Sequence, residues 1–293
     1  MAECHPVGFQ WVVEAKKRGA RLIHVDPRYT RTSAFANRHI GIRGGTDVVL
    51  LGAIIKYVLE NDLYFHDYVV NYTNAASIIS PDFQDTEDLQ GLFSGYDAEK
   101  GKYVTDEWQY VQKPEGSSWN VEKDMTLEDP NTVFQILKRH YSRYTPEMVE
   151  ETCGIAPEDF YYLADSIAQN STPERTTCFA YALGFTQHTL GAQFIRTAAI
   201  LQLLMGNVGR PGSGIMALRG HASIQGSTDI PTLFNSLPGY LPMPHVDQET
   251  WADYLDSFRA ADQKGFWQLG ENYAVSLMKS YWGDAATKEN DWG

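Results

Sequence analysis

The sequence predicts an α/β chain: a doubly wound, mostly parallel sheet with helices on both faces and an irregular insertion. Two strand–loop–helix units fall within the first 60 residues, and a further strand followed by a helix comes after residue 175. A strand that feeds a helix through a short loop is the repeating unit of such a sheet.

Residues 6–19 place Val7, Trp11, Val12 and Ala15 at helical spacing and close on Lys16-Lys17-Arg18-Gly19, a basic last turn with a glycine stop. Arg21–Val25 reads as a short buried strand. Asp26-Pro27-Arg28 then lies at its carboxyl end, where open α/β sheets bind ligands. There Asp26 suits the donor edge of a purine or a ribose hydroxyl and Arg28 suits a phosphate; the competing reading is a plain Asp-Pro turn. Thr30–Asn37 suggests a helical turn and His39–Ile42 a strand. Arg43-Gly-Gly-Thr-Asp47 is a glycine loop that feeds an amphipathic helix through Leu59, capped by Thr46 or Asp47. Gly44 and Gly45 occupy the junction where a helix start receives phosphate, without a full dinucleotide or nucleotide-triphosphate motif.

Between Ile79 and Pro130 no period of 2 or 3.6 is sustained. Gly91, Gly95, Gly101 and Gly116 alternate with acids and with Phe93, Tyr96, Tyr103, Trp108, Tyr110 and Trp119, too many aromatics for a disordered linker. Helices are predicted again at Asn131–Tyr141, from Thr145-Pro146 to Cys153-Gly154, and from Pro157 to about Asn170. Thr176–Ala182 is a second buried strand ending in Leu183-Gly-Phe-Thr-Gln-His188, and a helix follows from Leu190 to Met205. Gly209, Gly212 and Gly214 then turn the chain sharply. Beyond Thr228 come a Pro-, Gly- and aromatic-rich stretch, helices near Gln248–Ala260 and Tyr273–Tyr281, and an ending without a stop signal. The expected divisions are 1–78 and 131–230 as two α/β parts, 79–130 as the insertion, and 231–293 as an extension.

Composition narrows the function. A net charge of −13 without a basic stripe argues against nucleic acid. The longest apolar helix is broken by Gln202 and Gly206, so no membrane span is expected and the chain reads as soluble and globular. Cys4, Cys153 and Cys178 are too widely spaced for a metal or cluster motif and read as buried small hydrophobes, so no metal ligand is expected in this chain. Met1-Ala-Glu-Cys-His-Pro6 has no secretory signature, which implies a cytoplasmic protein or a missing N-terminus.

Met216–Gly226 is the strongest candidate for a substrate site. Arg219 is the only Lys or Arg between Arg210 and Arg259, and it is flanked by Gly220, His221, Ser223 and Gln225. A guanidinium offers five donors in a fork that matches a carboxylate or phosphate. The alternative is a surface loop whose arginine pairs with a nearby acid.

His5-Pro6, Val25-Asp-Pro-Arg28, Gly45-Thr-Asp47, Tyr144-Thr-Pro146, Ala182-Leu-Gly-Phe-Thr-Gln187, Gly206-Asn207, Leu218-Arg-Gly220 and Gln225-Gly226 occur in a set order across nearly the whole chain. In that order the chain resembles the catalytic subunit of molybdenum- or tungsten-dependent formate dehydrogenases, within the dimethyl sulfoxide reductase superfamily. Gly91–Lys100 and Gly283–Asn290 are similar to the respiratory, periplasmic subtype.

The resemblance implies a Rossmann-like cofactor domain and a bis(molybdopterin guanine dinucleotide) group carrying molybdenum or tungsten. It puts Glu3, Asp26, Arg28, Gly45 and Asp47 near one guanosine diphosphate arm, and Leu183, Gly184 and Gln187 near the pterin. Arg219 carries over as the arginine that binds formate beside the metal, with His221 helping to polarise the site. It further implies formate and carbon dioxide as substrate and product, an iron-sulfur electron-transfer subunit and a membrane cytochrome b subunit as partners, and a periplasmic address. The family's selenocysteine or cysteine metal ligand and its 4Fe-4S motif have no counterpart here and are expected upstream of residue 1; its C-terminal cofactor domain is also absent. A fragment inactive on its own is therefore expected. The alternatives are a relative acting on nitrate or another oxyanion, and a non-catalytic relic or interaction module.

Overall fold

The computed structural model describes residues 1–105, 108–113, 120–221, 224–258 and 268–293. Gly116, Trp119, Ser223, Arg259 and Ala260, drawn on above, lie outside them. The chain divides into two compact units, Met1–Leu218 and Arg219–Gly293.

The first unit runs α1 (Pro6–Lys17), β1 (Ile23–Val25), α2 (Arg31–Phe35), β2 (Arg38–Ile40), α3 (Asp47–Glu60), α4 (His66–Tyr72), β3 (Tyr96–Asp97), β4 (Lys102–Tyr103), α5 (Val133–Tyr141), α6 (Pro146–Met148), α7 (Pro157–Gln169), β5 (Cys178–Tyr181), α8 (Leu183–Thr186), α9 (Gly191–Leu204) and β6 (Gly214–Ala217). Proline sets the first turn of α1, α6 and α7 because its fixed φ suits the helix and its missing N–H would have no partner there. Thr145 Oγ1 accepts the Met148 N–H at 3.2 Å, as the cap requires.

The α/β expectation is met, with strands in short parallel pairs. β1 pairs with β2, Ile23 opposite Arg38 and Val25 opposite Ile40; β5 pairs with β6, Cys178 opposite Gly214 and Tyr181 opposite Ala217. Neither of the strands expected to be buried is. β1 is half-buried along its length and β5 alternates exposed with half-buried residues, the pattern of a strand covered on one face. For the same reason Cys178, at the start of β5, is exposed; Cys4 is exposed too, and only Cys153 is the buried small hydrophobe expected.

The core gathers on α3, which packs against α5, α7 and α9. Leu50, Leu51, Ala53, Ile54, Ile55, Val58 and Leu59 are all buried, so α3 is apolar on more of its faces than the amphipathic reading implied. Complete burial of Ile54 and Ile55 contributes about 1.5–3 kcal/mol each. The aromatic ring of Tyr144 lies where a Cβ on Gly52 would stand, 2.8 Å away, so glycine is what lets α3 take that ring.

The described part of residues 79–130 is held by isolated bridges such as Ile79 to Tyr110 and Gln112 to Val121, and by the β3–β4 hairpin. Phe93 stacks on Tyr103 at 4.1 Å, and Trp108 Nε1 donates to Ser94 O at 2.7 Å. Arg139 on α5 pairs with Asp85 and Asp88, and Arg143 pairs with Glu87. Beside them His140 is half-buried; burial lowers its pKa, with Asp85 opposing. In the window between that lowered value and the ordinary histidine value of about 6.5, the unfolded chain binds a proton that the folded chain does not. Stability is therefore expected to drop as pH falls through this window and to level off below it. Thermal midpoints measured from about pH 7.5 to about pH 5 should show a shallower fall in His140→Asn than in the native chain; identical slopes would refute the assignment.

The second unit holds α10 (Ile224–Asp229), an antiparallel pair β7 (Ser236–Leu237) and β8 (Leu241–Pro242), α11 (Trp251–Asp256) and α12 (Gly270–Trp282). Its small core is Leu241, Tyr254, Leu255 and Ala274. Thr250 and Asp253 cap α11 reciprocally. Near the end of the chain Thr287 caps the start of a single turn, Lys288–Asn290, with Thr287 N–H donating to Asn290 Oδ1 at 3.0 Å. Among the described residues no helix is long and apolar enough to cross a membrane.

Candidate site at the strand ends

Four segments leave the carboxyl ends of parallel strands in the first unit. After β1, Asp26 Oδ1 accepts the Arg28 N–H at 2.7 Å, the hydrogen bond of the plain Asp-Pro turn. The Arg28 side chain is exposed, and among the described residues nothing pairs with its guanidinium. His24 Nε2 stands 3.6 Å from Asp26 Oδ2, and His39 Nε2 stands 2.9 Å from Asp26 O. Burial holds the His24 pKa below its ordinary value against the pull of Asp26, with His39 and the Met1 amino group adding to the depression. Glu3 is exposed, its Oε1 3.6 Å from Arg31 Nε at the start of α2. Met1 N and Ala2 N donate to Thr32 Oγ1 at 3.1 Å, which ties this end of the chain to the same helix.

After β2, Gly44 and Gly45 lead into α3. Thr46 takes the cap position, yet its hydroxyl donates back to Arg43 O at 2.8 Å and does not cap the helix. Gly45 has φ of +88°, and a Cβ on it would lie 3.8 Å from His188 Nδ1. Asp47 opens α3; burial raises its pKa, and His188 partly offsets that. The loop after β2 and the loop after β5 therefore meet at Gly45, Asp47 and His188. Gly45→Ala is expected to cost about 1–2 kcal/mol because a side chain in the left-handed region is strained. Equilibrium urea unfolding measures it, and an unchanged midpoint would refute it.

After β5, the segment Ala182–His188 contains the short helix α8 (Leu183–Thr186). Tyr181 stacks on Phe185 at 5.3 Å and Phe185 meets Phe194 of α9 edge-on. These contacts turn inward, while Leu183 is 62% exposed, Gly184 has open space where a Cβ would stand, and Gln187 is exposed. The end of β6 leaves beside the end of β5, with Leu218 N–H donating to Tyr181 O at 2.7 Å. Arg219, the next residue, opens the second unit; it and His221 are exposed.

The first unit thus brings Gly45 and Asp47 to His188, the neighbour of Gln187, and places Asp26 and Arg28 on a turn whose main chain is bonded by His39, with His24 close by. Arg219 and His221 belong to the other unit. Sequence reasoning did not single out His24, His39 or His188. The signal available for His188 was its place in the segment after β5; for His24 and His39 it was two histidines in neighbouring short strands.

The sequence profile described as molybdopterin oxidoreductase matches residues 1–276. The chain is 48% identical over its whole length to the nitrate-inducible formate dehydrogenase major subunit of Escherichia coli, of which it spans 29%. It is 45% identical to the formate dehydrogenase major subunit of Haemophilus influenzae, again across the whole chain and 28% of the relative. Among solved structures, acetylene hydratase from Pelobacter acetylenicus aligns over 68% of this chain and 19% of its own, at 18% identity and a TM-score of 0.43.

Proposed function

The chain belongs to the molybdopterin oxidoreductase family, and from that premise we propose that it forms the central part of a formate dehydrogenase catalytic subunit, working in the two-electron interconversion of formate and carbon dioxide. The observation that carries this reading is the 48% identity to a formate dehydrogenase major subunit across all of the chain. The chain spans under a third of that relative, so the activity is proposed for the intact subunit.

The strand-end residues suit a nucleotide-bearing anionic cofactor. Arg28 offers an uncommitted guanidinium for a phosphate. Gly44, with open space where a Cβ would stand, lets a ligand approach the main chain ahead of α3. Asp26 and Asp47 supply acceptors for a guanosine, with Glu3 nearby on the α2 side. Leu183, Gly184 and Gln187 offer an exposed apolar and amide surface to the pterin. We assign the group as the guanine dinucleotide form with molybdenum or tungsten; when bound it supplies the two-electron redox chemistry. Arg219 binds the formate carboxylate through paired N–H donors and orients it, while His221 polarises the same pocket. In the relatives the protein is called a major subunit, which supports partner subunits here: an iron-sulfur subunit to accept electrons, a 4Fe-4S cluster outside this chain, and a cytochrome b in the membrane. A periplasmic location and a role in anaerobic respiration go with that assembly.

Formate-dependent reduction of a viologen dye by the purified intact subunit tests the reading. Reduction of nitrate or another oxyanion without formate oxidation would replace it with the oxyanion alternative, and a folded protein devoid of pterin and metal would point to a relic.

A further inference from the structure

β5 and β6 pair in parallel, with Cys178 opposite Gly214 and Ala180 opposite Met216. Side chains alternate across a strand, so the pair has two faces. Phe179 and Ile215 pack against the main core, on the side where α9 meets β6. Cys178, Ala180 and Met216 make up the other face, and all three are exposed, Met216 to 50%.

That face is not built for water. It carries no charge, hydroxyl or amide, whereas the solvent side of a half-covered sheet is normally polar. Parallel strands are moreover found with both faces covered, as a rule by helices, and two strands alone make a poor sheet. The β1–β2 pair shows the covered arrangement. Its Ile23 and Val25 pack on the core, and His24 on the second face is only 17% exposed, with Ser33 Oγ of α2 2.8 Å from its Nδ1. At β5–β6 the described residues leave the second face open. Cys178, Ala180 and Gly214 are small enough for a helix to lie close against the strands, and Met216 is the long, adaptable side chain that can fold around it. Length points to the source of the cover: the chain accounts for 29% of a relative that it matches from end to end, so most of such a protein lies outside these residues.

We propose that the Cys178–Ala180–Met216 face is an internal docking surface, covered in the intact subunit by an apolar helix from the part of that subunit outside the 293 residues. This rests on the reading of the chain as the central part of a longer catalytic subunit. β5 and β6 lead at their carboxyl ends into Leu183, Gly184 and Gln187 and into Leu218. A helix seated on the pair therefore fixes the two strands that carry the surface assigned to the pterin.

Thiol labelling and photo-cross-linking of the intact subunit test this. Cys178 should react with iodoacetamide at least about tenfold more slowly in the folded subunit than in urea. In subunit produced with photo-methionine in place of methionine, position 216 should cross-link on irradiation to a peptide of the same polypeptide outside the 293 residues, with apolar residues at helical spacing. A mixture of isotopically heavy and light subunit separates links within one copy from links between two. Cys178 labelled at its unfolded rate overturns the proposal. So do cross-links from position 216 that reach only residues 1–293, a second copy or another protein. Equal protection of Cys178 in the 293-residue chain alone would place the cover within that chain and overturn it as well. Formate-dependent dye reduction by the same preparation decides the functional reading separately: an active subunit with an accessible Cys178 refutes only the docking surface, and an inactive one with the expected protection and cross-link refutes only the formate reading.

Discussion

Replacing Arg219 by alanine in the intact subunit is expected to lower formate turnover by about 10²–10³-fold, the scale of removing one oriented donor from an active site, while molybdenum or tungsten and pterin remain bound. A small anion gains orientation from a rigid fork of N–H donors, and a single cation offsets the cost of taking it out of water. Arg219 is exposed, and no other Lys or Arg lies between Arg210 and Arg259, so no neighbouring base in that stretch would substitute. Arg219→Lys should recover only part of the loss, because an ammonium is a point charge without the fork. Steady-state kinetics with metal and pterin analysis separate the outcomes: unchanged formate kinetics would remove Arg219 from the substrate site, and loss of cofactor would make it structural.

Gln202→Leu is expected to destabilise the first unit by about 3–5 kcal/mol, the largest single effect foreseen on stability. Gln202 is fully buried in α9. Its Nε2 donates to Thr177 O at 2.8 Å, just before β5, and to Gly214 O at 2.6 Å, at the start of β6, while its Oε1 accepts from Asn207 Nδ2 at 2.8 Å. Asn207 in turn donates to Ser171 Oγ at 2.9 Å and accepts the Thr177 N–H at 3.4 Å. Leucine fills a similar volume but takes a donor from the Thr177 and Gly214 carbonyls and the acceptor from a buried Asn207 amide proton. Chemical denaturation measures the loss. The double variant with Asn207→Ala should cost less than the sum of the two single changes, since both break one network; strict additivity would contradict that.

Helix starts were legible because their chemistry is local: Pro6, Thr145-Pro146 and Pro157 mark their own first turns. Strand ends were legible for a related reason, since short apolar runs that break at Asp26, Gly44 and Gly184 identify carboxyl ends wherever the strands lie in the sheet. Burial was not. The exposed face of β5 depends on which side α9 covers, and the burial of α3 on most faces depends on α5, α7 and α9 arriving from distant parts of the chain. The same holds for the site. Asp26 and Arg28 could be named from one turn, but the facing of His24 and His39 comes from a register between strands, and the meeting of Gly45 with His188 comes from α3 packing on α9. Gln202 read as an interruption of an apolar helix; only its partners on either side of the β5–β6 pair show that its polarity is used.

The chain from Val149 to Cys153 closes as a single π turn, ended by Gly154 at φ +71°. It grips the loop after β2 from one side. Arg43 N–H donates to Cys153 O at 2.9 Å, the Arg43 guanidinium reaches the carbonyls of Glu151 and Thr152, and Cys153 Sγ donates to Thr46 O at 3.5 Å. Gly44 and Gly45 are thus spanned by anchored residues, although glycines are the residues with most conformational freedom to lose. Their ordering is completed when the protein folds, so a ligand arriving at this loop meets a preformed surface and keeps the binding energy that a floppy glycine loop would have consumed in entropy.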